Sequence, residues 1–184
     1  GHSAGAAVLA RACLDGALPL RRLVSLNGAL FPFPGAVGHV FGHLARTMAF
    51  TGVVPWCFAR SAGRDPQVVT EMLARTGSRL DARGIALYRR LAGNVGHVRA
   101  TLGMMGNWEL YALDAALPRL TIPVLLVTGS RDRTVTPATT QRTAAILPDA
   151  RVHVLEGLGH LAHEEAPALV SDLLLETLSE AGAD

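Results

Sequence analysis

Two kinds of hydrophobic pattern alternate along this chain. Short apolar runs stand at residues 23–26 and 122–127, and a third strand reads over 151–155; the turns Asn27-Gly28, Thr128-Gly129-Ser130 and Gly157-Leu158-Gly159 follow them. Runs of that length closed by turn residues predict strands, and unbroken ones predict strands buried in a parallel sheet. Spaced apolar positions predict helices over 4–14, closed by Asp15-Gly16, over 137–147, and over 166–178 with Leu169, Val170, Leu173 and Leu174. Strand, helix, strand, helix is the order of an α/β fold with parallel strands and crossover connections.

The long middle block follows a different rule. Asp65-Pro66 starts a helix carrying Val68, Val69, Met72 and Leu73. Asp81 caps a second, with Ile85, Leu87, Tyr88 and Leu91; Asn94 caps a third, with Val95, Val98, Leu102 and Met105. No strand pattern interrupts them. The expected organisation is therefore a core segment over 1–29, a helical cap over 30–117 and a second core segment over 118–184.

Between Arg22 and Asp65 the only charges are Arg46, Arg60 and Arg64, yet Gly and Pro break every apolar run short of the roughly 20 residues needed to span a membrane. An apolar surface facing a greasy ligand, or resting on a membrane, fits this stretch better. Its aromatics, with Trp108, include Phe31, Phe33, Phe41, Phe50, Trp56 and Phe58. They suit a large flat ligand and an ordinary cap core equally well.

With 184 residues, 49% of them hydrophobic and 17% charged, the chain can bury a real core and is not a disordered tail. All 17 basic residues are Arg, and they are scattered, so no stripe suits a nucleic-acid backbone. Cys13 and Cys57 stand far apart in no redox or zinc spacing and are expected to be thiols of a reducing compartment.

The candidate chemistry begins at Gly1-His2-Ser3-Ala4-Gly5, a G-x-S-x-G pattern that presents a serine on a sharp strand-to-helix turn. Asp132 follows the second strand and His160 the third, so three reactive types sit at carboxyl ends of strands, where open parallel sheets carry their sites. Ser, Asp, His is the chain order of an α/β-hydrolase triad. Serine needs a base, histidine can exchange a proton at neutral pH, and a carboxylate fixes its tautomer. Asp149 precedes a strand and Glu156 comes too early in its loop, so Asp132 is the better acid. The exit of the first strand, where some hydrolases hold the acid, carries Asn27. His163, beside Glu164-Glu165, is the weaker rival for the base.

The backbone N–H of Ala4 is the expected oxyanion donor. A second donor is expected upstream of Gly1, because such enzymes take it from an earlier loop. The chain thus reads as beginning at its nucleophile elbow, and alone it is expected to be inactive or to aggregate. His2, Met104, Met105 and Trp108 are candidate substrate contacts, with packing the plainer role for each. His39 and His43 share a helical face but lack the Glu of H-E-x-x-H and a third ligand, so no metal and no cofactor are expected.

The triad pattern, the exit turns and the helical insertion resemble α/β-hydrolases of the esterase, lipase and haloperoxidase-like group. The stretches TGSRLDARGIALYRRL, LGMMGNWELYALDAALPRL and GLGHLAHEE narrow this to a resemblance to the magnesium chelatase accessory proteins of bacteriochlorophyll synthesis. That resemblance runs through nearly the whole chain. It implies an α/β-hydrolase fold and a role near magnesium insertion, with a tetrapyrrole or other apolar small molecule and magnesium chelatase subunits as partners. It also implies a cytoplasmic location compatible with membrane contact. No phosphate-binding loop is present, so the chain does not read as a chelatase motor. An esterase acting on an apolar substrate and a non-catalytic tetrapyrrole-binding module are the alternatives.

Overall fold

The computed structural model describes residues 1–32, 44–48 and 50–181. Three parallel strands form one sheet in the order β1 (Leu23–Leu26), β2 (Val124–Gly129) and β3 (Ala150–Leu155). Leu23 pairs with Val124 and Val124 with Ala150, so the strands start nearly level. The sheet extends past β1: His2 bridges Leu26 in parallel, with Ser3 N–H donating to Leu26 O at 3.0 Å and Leu26 N–H to Gly1 O at 2.8 Å. The middle strand runs two residues beyond the apolar run that marks it, because Thr128 and Gly129 still pair with Val154 and Leu155. Apolar periodicity cannot register a small or hydroxylated residue that stays in the ladder.

Helix α1 (Ala4–Leu14) leaves the elbow directly and buries Ala6, Ala7 and Ala10, small side chains that allow close approach to the sheet. Four further helices, α2 (Val53–Arg64), α3 (Pro66–Arg75), α4 (Ala82–Ala92) and α5 (Val95–Gly106), come from the middle of the chain. The last three start at the caps read above. Asp81 Oδ1 accepts from Gly84 N–H at 2.7 Å, Asn94 Oδ1 from His97 N–H at 3.1 Å, and Asp65 Oδ1 from Gln67 N–H at 2.8 Å. Helix α6 (Leu110–Ala116) and a 3₁₀ turn (Leu117–Arg119) lead into β2. Then come α7 (Pro137–Ile146), capped by Thr136, the short α8 (Ala162–Glu165) and α9 (Pro167–Ala181). Val127, Leu155, Ala162 and Val170 form a core cluster against which Val24, Leu26, Leu125, Leu158, Leu173 and Leu174 pack.

The chain divides into two compact units, Gly1–Phe31 with Arg75–Arg79 and Leu110–Asp184, and Pro32–Ala74 with Leu80–Glu109. The first holds the sheet; the described residues of the second are helical. This departs from a single cap over 30–117 in two places. Helix α6 buries Leu110 and Leu113 in the sheet-bearing unit. Residues 75–79 return to that unit because their backbone and the Ser78 side chain bond its loops: Thr76 O accepts from Arg133 N–H at 3.1 Å, and Ser78 Oγ from Leu161 N–H at 2.8 Å. Neither departure leaves a mark in hydrophobic periodicity. Among the described residues no helix is long and apolar enough to cross a membrane. Cys13 and Cys57 are free thiols.

Candidate active site

Ser3 occupies the turn between the bridge at His2 and helix α1 with φ +48° and ψ −118°, a conformation that costs a non-glycine residue energy. The turn is held by Ser3 N–H to Leu26 O and Gly5 N–H to His2 O, at 3.0 and 2.8 Å. Its result is an exposed hydroxyl direction at the carboxyl end of the sheet. Ser3 Oγ lies 3.1 Å from His160 Nε2, and His160 Nδ1 lies 2.8 Å from Asp132 Oδ2. The structure therefore brings together Ser3, His160 and Asp132, residues separated by more than a hundred positions at the widest.

Each member is fixed from below. Asp132 is buried, and its Oδ1 accepts the backbone N–H groups of Thr134 and Val135 at 2.7 and 2.9 Å. Its Oδ2 takes Nδ1–H of His160 and the side-chain amide of Asn27, both at 2.8 Å. A carboxylate can only accept, so Nδ1 carries the proton and the lone pair of Nε2 faces the serine hydroxyl. This is the tautomer in which His160 can receive a proton from Ser3.

The histidine loop is tied down by a buried carboxylate that sequence reasoning passed over. Glu165, whose side chain is 5% exposed, accepts Gly159 N–H at 2.7 Å and Arg79 N–H at 3.0 Å, and pairs with Arg131 at 3.3 Å. Arg131 also donates to Gly77 O at 3.0 Å. The acid loop, the histidine loop and residues 75–79 are thereby laced into one network. Glu164-Glu165 had looked only like the acidic start of a helix, and no local signal separates the buried glutamate from its half-exposed neighbour. Asn27 was legible as a strand exit, but its partnership with Asp132 was not.

His2 is not free to meet a ligand through Nε2, which donates to His160 O at 2.9 Å. Its ring stacks at a tilt on His160 and His163, with centroids 4.9 and 4.3 Å away. That arrangement fits the packing role. Burial pushes the His2 pKa down to about 4, and it lowers that of His163 as well. His163, the rival base, has Glu164 Oε1 at 3.7 Å and belongs to this stack. Met104, Met105 and Trp108 belong to the other unit. There Met105 lines an apolar cavity of about 380 Å³ with residues that include Phe58, Met72, Tyr88 and Leu102. Met104 is exposed, and Trp108 N–H donates to Met105 O at 3.3 Å. His39 and His43 lie outside the described residues. The N–H of Ala4, first residue of α1, has no acceptor within its own helix and stands beside the nucleophile position.

The neutral state of His2 has a measurable consequence. Its folded pKa lies below the ordinary 6.5, so the native state binds fewer protons, and the stability this represents is present above pH 6.5 and lost as pH falls through about 4. The loss is on the order of 2 kcal/mol after allowance for the part of the ring that stays wet. Urea midpoints recorded from pH 7 to pH 4 should therefore fall more steeply for the wild type than for His2→Gln. Parallel curves would contradict this account of His2.

A parallel sheet, a strained serine at a strand-to-helix elbow, and an acid and a histidine on the exits of β2 and β3 define a class: α/β proteins of the hydrolase type. The model of the alpha/beta hydrolase family matches residues 1–173, and the chain belongs to that family. It is 39% identical over 181 residues to the "Magnesium-chelatase 30 kDa subunit" of Rhodobacter capsulatus, covering 97% of this chain and 61% of that protein. The chain thus spans about three-fifths of that relative's length. Among solved structures, MenH from S. aureus superposes with a TM-score of 0.77 at 16% identity, over 99% of this chain and 67% of its own. An esterase from Thermogutta terrifontis gives 0.72 at 23% identity, over 98% and 64%. At these identities the two structures speak for the fold alone, which is the α/β-hydrolase fold.

Proposed function

We propose that the protein is a serine hydrolase of this family that serves a magnesium chelatase, acting on an acyl bond of an apolar substrate. The observation that carries the reading is the continuous hydrogen-bond chain from Ser3 Oγ through His160 to Asp132. In this mechanism Ser3 Oγ attacks the acyl carbon while His160 Nε2 takes its proton. Asp132 stabilises the imidazolium, and Ala4 N–H donates to the oxyanion. His160 then returns the proton to the leaving group, and the same histidine activates water to free the acyl group from Ser3. Met104, Met105 and Trp108, proposed as substrate contacts, belong to the helical unit.

Turnover of short-chain nitrophenyl esters, together with labelling of Ser3 by a fluorophosphonate, tests the chemistry. Absence of both in the intact protein would overturn it. The link to a chelatase rests on the 39% identity to a protein of that name, and makes chelatase subunits the expected partners. Adding the protein to a reconstituted magnesium chelatase should raise the rate of magnesium insertion into protoporphyrin IX. An unchanged rate across a range of protein concentrations would count against that role.

A second reading, a tetrapyrrole-binding module that makes no use of the triad, draws on the apolar cavity of the helical unit. Its lining is almost wholly carbon and thioether, and suits a flat apolar ligand. Saturable quenching of tryptophan fluorescence by micromolar protoporphyrin IX, equal in the wild type and in Ser3→Ala, would support it. No quenching would dismiss it.

A further inference from the structure

Asn27 closes β1 with φ +48° and is 1% exposed. Its backbone is pinned to the next strand by Asn27 N–H to Val127 O at 2.7 Å. From that rigid base its side-chain Nδ2 donates to Asp132 Oδ2 at 2.8 Å and to Gly159 O at 3.3 Å. One amide therefore joins the acid loop to the residue just before His160.

The orientation of that amide is decided by its neighbours. Turned over, Oδ1 would face the carboxylate oxygen of Asp132 and the carbonyl of Gly159, lone pair against lone pair. In the orientation adopted, Oδ1 is buried and accepts no hydrogen bond among the described residues. A buried amide with an orphan acceptor is unfavourable for stability. An apolar residue of similar size would avoid that cost, and what it could not supply is the donor to Asp132.

We infer that Asn27 is a positioning residue of the site, holding Oδ2 of Asp132 in line with Nδ1 of His160; this rests on the Ser3–His160–Asp132 reading. Oδ1 of Asp132 is already held by two backbone N–H groups. Among the described residues Oδ2 has two partners, and one of them is the histidine whose charge changes during reaction. Asn27 is the fixed one. Without it the carboxylate can pivot about Oδ1, and the link to the Gly159 loop is lost as well.

Two variants and two readouts test this. Asn27→Ala should lower kcat for a nitrophenyl ester by about 10- to 100-fold, the range for a lost hydrogen bond to a charged group, with KM within about twofold. Asn27→Asp, nearly isosteric, sets a second carboxylate against Asp132 and should raise the His160 titration seen by NMR by about one unit. The other titratable and charged groups around His160, which include Asp132, His2, His163, Glu164, Glu165 and Arg131, are common to both proteins, so the difference isolates position 27. A His160 titration unmoved by Asn27→Asp would overturn the inference, and so would a wild-type kcat in Asn27→Ala. Should Asn27→Ala fail to fold, Asn27→Asp decides. Inactivity of the unsubstituted protein would instead sink the hydrolase reading, and the titration would still judge Asn27.

Discussion

Ser3→Ala should lower nitrophenyl-ester turnover by on the order of 10⁴-fold or more, because it removes the one atom that can form the acyl intermediate. Nothing else in the described site offers a substitute. His160 stacks on His2, His163 belongs to the same stack, and Asp132 spends both oxygens on four donors. The substitution removes a hydroxyl from a half-buried side chain and keeps the backbone turn, so the fold should survive it. His160→Ala should cost about as much, and the double variant little more than either. Residues that act as one unit lose their function once, whichever member goes. Steady-state kinetics on the three variants decide the matter. Equal turnover by wild type and Ser3→Ala would end the hydrolase reading, whereas additive losses would mean that Ser3 and His160 do not work together.

Gly77→Ala should strongly destabilise the protein. Gly77 has φ +84°, where an L side chain is strained, and a Cβ there falls on the carbonyl oxygen of Arg131. Neither obstacle can be relieved by rotating a side chain, since the clash is with backbone. Gly159, on the other side of the contact, is equally confined: its Cβ would fall within the backbone of Gly77 and Ser78. Strain and overpacking together should cost about 3–5 kcal/mol. For a chain of this length that lowers Tm by roughly 10 °C or more. Gly16→Ala is the control. It shares a positive φ of +71° but has open space around it, so it should lose only about 1–2 kcal/mol. Thermal melts of the two variants give the answer. A Gly77→Ala protein as stable as Gly16→Ala would refute the backbone contact between residues 75–79 and the two loops.

Much of the fold was readable beforehand, and the reasons are local. Continuous apolar runs marked β1 and β2, because a strand buried on both faces has no polar side to show. Asp81, Asn94 and Asp65-Pro66 marked helix starts, because a cap acts on the next two or three backbone N–H groups. The candidate chemistry was readable for a topological reason. In a parallel sheet every strand ends at the same edge, so residues at successive strand exits are brought near one another whatever separates them in sequence. Ser3, Asp132 and His160 were singled out by that rule together with their residue types and their order in the chain.

What escaped the sequence was of another kind. Residues 75–79 sit between helices of one unit yet belong to the other, since the carbonyls of Thr76 and Gly77 accept from Arg133 and Arg131, and Ser78 Oγ accepts from Leu161 N–H. Backbone carbonyls carry no sequence signal. Glu165 and Glu164 are adjacent and identical in type, and only packing sends one inward to Gly159 and Arg131. Asn27 looked like a turn residue, and the turn is real, but the direction of its amide is set by Asp132, 105 positions away. The sequence by itself determined which elements form and which chemical groups stand at the strand exits, because both follow from local periodicity and sheet topology. The tertiary structure alone decided which buried polar groups hold those reactive residues in place, because a hydrogen bond between distant loops exists only once the chain has brought them within 3 Å or so.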